Sequence, residues 1–352
     1  MDELTPIIYS KFPQKGKFNN KVLAGVFIFV AVIIGIFTYQ SRTRSSQDDQ
    51  KATINQNHEK VTKVLPKGAD DVWETQYIMP APEKDRLDVL VLGIRGKDDP
   101  DGGLLTDSIM ILSYNKTTKK SALVSVPRDL YVRLNDNTED KINAAYEFLG
   151  LAGTKKLFSR ITGVYVDNII VVDFSSFKEI VDDLGGIDVV LKEPFSEPSQ
   201  WGYPFFLPAG PNHLNGQSAL YYVRSRYSTD DFDRARRQQE VILAIKKKIT
   251  ETNFLSDPTK AIALLSAAKR NIQTDFNILD VPSLIELAQE LNVSSATMKQ
   301  NVISTTNLLY DSRKDNVYVL LPIGDNLSKI KKYFRNILAS SLPGGTATPT
   351  PH

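Results

Sequence analysis

Residues 87–126 read LDVLVLGIRGKDDPDGGLLTDSIMILSYNKTTKKSALVSV, and this stretch decides the fold. Leu87–Gly93 is a short apolar run that stops at a glycine, the pattern of a buried strand. A loop rich in Gly and Asp follows. It is not a phosphate-binding Walker loop, because its lysine lacks the Ser or Thr that motif requires. Asp107 opens a second strand over 108–114, Asn115–Thr118 has the chemistry of a hairpin turn, and Ser121–Val126 returns as a third strand. Pro127, Arg128 and Asp129 end it. In an antiparallel pair the start of one strand lies beside the end of the next. Asp107 and Arg128 are therefore predicted to be neighbours at one sheet edge.

Outward from this hairpin the periodicity changes repeatedly. Leu130–Leu134 alternates apolar and polar like an edge strand, and a helical pattern runs from Lys141 through Ile161. Asn168–Phe174 reads as a strand. Ser175–Leu184 reads as a serine-capped helix closed by Gly185 and Gly186, and Ile187–Leu191 as another strand. A loop rich in Pro, Gly and aromatics covers 193–211. Further helices are predicted near 258–271, 280–291 and 327–339, with strands near 301–307 and 316–321. No internal repeat is present. Strands alternating with helices predict an α/β fold built on a mixed sheet.

Chemistry concentrates in Tyr222–Gln239, YVRSRYSTDDFDRARRQQ, where five arginines and three aspartates crowd together. Ile242, Ile245 and Ile249 repeat at helical spacing, so the segment after Asp231 is a helix with Arg234, Arg237 and Gln238 on one face. Guanidinium forks suit phosphate oxygens, and carboxylates among them suit a hard divalent cation. A charged, solvated helix face is the plainer alternative. Asp107, the Arg128–Asp129 pair and Lys141 are the other candidate clusters. Their plainer readings are a loop-to-strand cap, a surface ion pair and a solvated lysine. Aspartate oxygens with arginine clamps suit phosphoryl transfer, where a protein mainly positions groups and neutralises charge.

Composition removes several classes. There is no cysteine, hence no thiol nucleophile, disulfide or cysteine-bound zinc. The three histidines (His58, His213, His352) fall outside the clusters, and Ser125 lacks the context of a serine hydrolase. A formal charge of +2 over 352 residues argues against nucleic acid as a partner. Residues 22–39 form an apolar run that would span roughly 27 Å as a helix, close to the hydrocarbon thickness of a bilayer. The TYQSRTR that follows is a poor cleavage site, so the run reads as a retained transmembrane helix. The lysines before it favour a cytoplasmic N-terminus and an exterior domain. The predicted layout is a cytoplasmic tail (1–21), the span (22–39), an extracytoplasmic stalk (40–86), one domain (87–340, its motifs within 87–252) and a tail (341–352).

The motifs VLVLG (89–93), LTDSIMIL (105–112), SVPRDLYV (125–132), KINAAY (141–146), DDLGGIDV (182–189), LPAGPNHLNGQSALYYVRSR (207–226) and DFDRARRQQ (231–239) occur in an order that resembles the LytR-CpsA-Psr family. These are membrane-anchored bacterial cell-wall phosphotransferases. The resemblance implies a three-layer α-β-α domain. It also implies transfer of a glycopolymer, such as teichoic acid or capsule, from a polyprenyl-pyrophosphate carrier to a peptidoglycan hydroxyl. A phosphodiester forms, Mg²⁺ or a similar ion assists, and the lipid lies in an apolar tunnel between sheet and helices. By the same resemblance Arg128, Lys141, Arg224, Arg226, Arg234 and Gln238 match pyrophosphate-binding positions. Asp107 and Asp231 match acidic positions tied to metal or catalysis, with Arg128 among the catalytic group. Two positions depart from the common family pattern: Arg95 stands where many members have aspartate, and Leu105 where many have arginine. Asp98, Asp99 and Asp101 are the substitutes the loop offers. A noncatalytic module that binds anionic wall polymer or polyprenyl phosphate is the alternative. It would keep the arginines without needing Asp107 or Asp231.

Overall fold

The computed structural model describes residues 79–96, 99–100, 102–135, 138–251, 272–275 and 298–339. The candidate span, most of the stalk, the predicted helices at 258–271 and 280–291, Asp98 and Asp101 lie outside the described residues. Among the described residues no helix is long and apolar enough to cross a membrane.

Strands β2 (Thr106–Asn115) and β3 (Ser121–Ser125) form the predicted antiparallel hairpin, and β1 (Arg86–Ile94) pairs antiparallel with β2 on its other side. Asn115 makes the β2–β3 turn by accepting the Thr118 backbone N–H at 2.7 Å on its side chain. A ribbon follows, β4 (Tyr131–Asn135) with β5 (Thr138–Lys141). Lys141 ends β5 and caps a 3-10 turn, Ile142–Ala144, that leads into α1 (Ala145–Thr162). The helix predicted from Lys141 therefore starts a turn late. It also kinks at Gly150, whose φ of 61° only glycine adopts readily.

β6 (Asn168–Asp173) runs into α2 (Phe174–Asp183). The cap of α2 is Asp173, which accepts the Ser176 N–H at 2.7 Å, and not the serine expected from the sequence. β7 (Ile187–Leu191) follows. The predicted loop 193–211 contains a short ribbon, β8 (Phe195–Glu197) with β9 (Phe205–Leu207). β10 (Gly210–Leu214) pairs with β7. Then come α3 (Gly216–Arg224) and α4 (Asp231–Glu251), capped by Asn215 and Asp230. β11 (Ile272–Thr274), β12 (Lys299–Val302), the hairpin β13 (Leu309–Lys314) with β14 (Val317–Pro322), and α5 (Ser328–Asn336) complete the described chain. β13 was not foreseen, because its sequence LYDSRK carries little apolar signal.

The central sheet is mixed, in the order β11-β6-β1-β2-β3-β12. β1 is parallel to β6, and β3 to β12. Strand side chains alternate between faces, so the continuous apolar run of β1 serves two cores at once. Leu87, Val89 and Val91 pack with α2, α3 and α4, whereas Leu90, Leu92 and Ile94 pack with α1 and α5. The result is the expected three-layer α-β-α arrangement.

Candidate active site

At the end of β1 the register with β2 slips: Gly93 faces Ser108, but Ile94 faces Thr106. Asp107 is the unpaired residue of this bulge, and a bulge re-aims its side chain away from the ladder. Glycine at 93 allows the close approach, since a Cβ there would stand 3.0 Å from the Ser108 Cβ. Arg128 leaves the end of β3 and donates from Nη1 to Asp107 Oδ1 at 2.6 Å. The sequence-predicted neighbours therefore meet.

Helix α4 completes the cluster. Arg234 is only 5% exposed, and its Nη2 donates to Asp231 Oδ2 at 2.8 Å and to the Asp107 carbonyl at 3.2 Å. Asp231 also pairs with Arg226 Nε at 3.1 Å and Arg128 Nε at 3.3 Å. Arg95 enters as well, 3.6 Å from Asp107 Oδ2. The residue that departs from the family pattern is thus part of the site. Arg224 stacks its guanidinium 4.2 Å from the Phe174 ring centre and 5.2 Å from that of Trp201, with Asp99 at 3.8 Å. Gln200 holds this segment, donating to the Arg224 carbonyl at 3.2 Å and accepting the Arg226 N–H at 2.6 Å.

Two buried polar atoms here, Arg234 Nε and Ser108 Oγ, have no hydrogen-bond partner, and Arg128 Nε makes only its ion-pair contacts with Asp231 and Asp129. Buried donors are normally satisfied, so unspent ones mark where a ligand's acceptors would sit. Burial pushes the Arg234 guanidinium down to about 10, with Arg128 and Arg226 adding to the effect against the pull of Asp231. It stays charged at neutral pH. Burial alone would raise the Asp107 carboxyl, but Arg128, Arg234 and Arg95 outweigh it and hold it below the ordinary value. Arg128 is likewise held protonated by Asp231 and Asp107 despite its burial.

Two cavities meet at this cluster. The larger, about 880 Å³ out to its mouth, runs between the sheet and the α2–α3–α4 layer. Its inner part is lined by Val91, Met110, Val172, Phe177, Leu220, Val223, Val241 and Ile242. Its charged lining is Arg95, Arg224, Arg226 and Arg234 against Asp107 and Asp173, an excess of two positive charges. Gln238 lines it too, and its Nε2 donates to the Val223 carbonyl at 3.4 Å. The smaller cavity lies across Asp107, Ser108, Arg234 and Gln238 from the first.

Other predicted residues sit elsewhere. Lys141 lines neither cavity and binds Asp129 Oδ1 at 2.6 Å. Arg237, on the helix face shared with Arg234, is spent on the Tyr222 carbonyl at 2.9 Å, the Thr229 hydroxyl at 2.9 Å and the Ser225 carbonyl. Arg236 makes an exposed pair with Asp233. Ser125 accepts from Gln239 at 2.8 Å, and His213 pairs with Asp188 at 2.7 Å on the surface. Arg95, Ser108, Gln200 and Trp201 were missed as site residues. The serine directly after Asp107 and the arginine in the glycine-rich loop were the available signals, whereas Gln200 and Trp201 left none.

The sheet and its cleft define an α/β protein that offers a cationic mouth and an apolar interior, the complement of an anion-headed amphiphile. The model of the LytR_cpsA_psr family matches residues 36–336, and the chain belongs to that family. Bacillus subtilis (strain 168) TagV, a polyisoprenyl-teichoic acid–peptidoglycan teichoic acid transferase, is 27% identical over 273 residues, covering 76% of this chain and 68% of that protein. Staphylococcus aureus (strain COL) regulatory protein MsrR is 30% identical over 236 residues, covering 66% of this chain and 70% of that one. The crystal structure of B. subtilis TagV superposes with a TM-score of 0.59 at 26% identity, over 74% of this chain and all of that chain.

Proposed function

We propose that this chain is a membrane-anchored phosphotransferase that moves a glycopolymer from a polyprenyl-pyrophosphate carrier to a peptidoglycan hydroxyl. One observation carries the reading. Partnerless donors of buried Arg234 and half-buried Ser108 sit where the arginine-rich mouth joins an apolar cleft. A pyrophosphate diester is a dianion with a long apolar tail on one side, and both halves have a counterpart in that cleft. Family membership and the transferase activity named for TagV supply the acceptor and the polymer class.

In this reading Arg128, Arg224, Arg226 and Arg234 hold the two phosphates, and Gln238 adds an amide at the mouth. Lys141 acts one step back, by fixing Asp129 beside Arg128. The acceptor oxygen bonds to the phosphorus that carries the glycopolymer. The bridging P–O bond breaks, and polyprenyl phosphate leaves along the apolar cleft. The arginines neutralise the charge that moves to the leaving oxygen, which is where most of the rate gain in phosphoryl transfer arises. Asp107 or Asp231 takes the hydroxyl proton.

Asp107 and Asp231 also supply the hard oxygens a divalent cation prefers. Among the described residues no group of three or more acidic or histidine side chains forms a cage. Two carboxylates fit the Mg²⁺ habit of sharing one or two protein oxygens with substrate phosphates. When bound, Mg²⁺ would add charge neutralisation at the pyrophosphate. Residues 22–39 anchor the chain, with the domain outside the cytoplasmic membrane.

The test is transfer from a polyprenyl-pyrophosphate-linked glycan to peptidoglycan, with Asp107→Asn and Asp231→Asn compared in parallel. Both variants are expected to keep lipid binding and lose at least 100-fold in transfer. Undiminished transfer by both would remove the two carboxylates from the mechanism, and a wild-type chain that binds the donor without transferring it would leave the binding-module alternative.

A further inference from the structure

The wall of Asp107, Ser108, Arg234 and Gln238 has a far side, which the proposed function leaves unassigned. A chamber of about 610 Å³, out to its mouth, opens there. Ser125, Asp129, Asp230, Phe232 and Tyr318 line it, and none of them lines the apolar cleft.

Tyr318 is carried on the β13–β14 hairpin, which is fastened to the segment that holds Arg128. The Leu320 N–H donates to the Asp129 carbonyl at 2.9 Å, and Leu130 and Leu320 form a parallel bridge. Tyr318 shares a strand face with Leu320, two residues away. Its hydroxyl donates to Asp311 Oδ1 at 2.5 Å, which pins the ring while leaving it 42% exposed. Burial, the Asp311 bond and the charges of Asp129 and Asp231 all push that hydroxyl's pKa up, so it remains a proton donor and not a base.

We infer that this chamber is the acceptor subsite, taking a glycan ring that presents the attacking hydroxyl, with Tyr318 as the platform that positions it. The inference rests on the transferase reading and adds to it. In a phosphoryl transfer the attacking and leaving oxygens lie in line on opposite sides of phosphorus. The apolar cleft suits the departing lipid phosphate, so attack comes from across the wall. The chemistry of the lining agrees. An aromatic face packs on the C–H face of a sugar, and the Asp129 and Asp230 carboxylates can accept from its hydroxyls. Each already accepts one bond, from Lys141 and from the Asp233 N–H, and a carboxylate has further lone pairs. In the step itself the acceptor oxygen bonds to the glycopolymer-bearing phosphorus and the bridging P–O bond breaks. Its electron pair leaves on polyprenyl phosphate. The hydroxyl proton passes to Asp107 or Asp231 and on to solvent.

The experiment uses the full chain in detergent, a polyprenyl-pyrophosphate-linked glycan as donor and soluble peptidoglycan oligosaccharides as acceptor. Tyr318→Ala and Tyr318→Leu are expected to raise the acceptor KM at least tenfold, with the donor KM within twofold of wild type. Tyr318→Phe, which keeps the ring, should restore the acceptor KM. Tyr318→Leu retains apolar volume, so a folding defect confined to the alanine variant does not blunt the test. An unchanged acceptor KM in the leucine variant overturns the assignment. A rise in donor KM alone also overturns it, because the chamber would then hold the donor's first sugar. A wild-type chain that neither binds nor turns over the donor defeats the transferase reading, and this subsite with it.

Discussion

Arg234 and Arg237 are three residues apart on one helix, with the same side chain and near-equal burial. What separates them is the use of their donors. Arg237 spends its fork on the carbonyls of Tyr222 and Ser225 and on Thr229, and stacks over Phe195 at 4.9 Å. Arg234 keeps a buried Nε without a partner. Arg237→Ala would leave buried carbonyls unpaired, so it should lower stability by roughly 2–4 kcal/mol, read as a fall in urea midpoint. Arg234→Lys keeps the charge but loses the planar fork. It should leave the urea midpoint within about 1 kcal/mol equivalent while cutting transfer at least 30-fold. A lysine variant with wild-type turnover would mean that charge alone suffices. Sequence spacing put both arginines on one face, which was right about direction. It could not say which guanidinium was committed, because the carbonyls that claim Arg237 belong to a loop whose path only the folded chain defines.

Elements set the geometry of the site and its pH response. The β2 bulge aims Asp107, and the hairpin brings Arg128 to it; both depend on strand order and turn position, which the apolar pattern of 87–126 already carried. At the opposite end of the sheet, β1 is stitched to the start of β6. The Asp88 N–H donates to Asp167 Oδ2 at 2.9 Å, and the Asp167 N–H to the Asp88 carbonyl at 2.8 Å. Burial raises the Asp167 carboxyl to about 7, with the nearby Asp88 charge contributing. Its folded pKa is therefore above its unfolded value. The folded state binds the extra proton between the two, so the contribution of Asp167 to stability is fully present below about 4 and is lost as pH rises through about 7. Asp167→Asn should remove that decline and stabilise the protein at pH 8 by something on the order of 1–4 kcal/mol. Denaturant titrations at pH 5 and pH 8 check the sign. The same end is closed by Arg86, which pairs with Asp88 and donates to the Phe334 carbonyl at 2.9 Å, at the C-terminal end of α5. Arg86→Ala strands a buried carboxylate and a helix terminus, and a loss of about 3–5 kcal/mol is expected, measurable as a drop in unfolding midpoint.

For the molecule as a whole, the site exists because two helical layers leave the sheet uncovered at different depths. The α2–α3–α4 layer stands off far enough to keep a cleft whose apolar end continues the core, and the other face is filled by α1, α5 and the β13–β14 hairpin. Filling the cleft should discriminate by lipid length. Ile242→Trp, at a partly buried lining position, is expected to raise the KM for a long-chain polyprenyl donor at least tenfold and that for a short-chain donor less than threefold. Equal effects on both donors would place the lipid elsewhere.

The hydrophobic pattern, the turn residues and the family motifs were sufficient for most strands of the central sheet, the order of layers and the meeting of Asp107, Arg128, Asp231 and Arg234. The meeting of Asp107 and Arg128 follows from hairpin geometry, which neighbouring residues encode; the layers and the joining of Asp231 and Arg234 to that pair were implied by the family resemblance. The Asp173 cap and β13 are local but carry little apolar signal, and the Gln200 clamp between β8 and β9 on Arg224 and Arg226 joins segments well separated in the chain. Tertiary packing alone decided which arginine donors stay unspent. Burial removes water as a partner, and only the folded backbone determines which carbonyls and carboxylates remain to replace it.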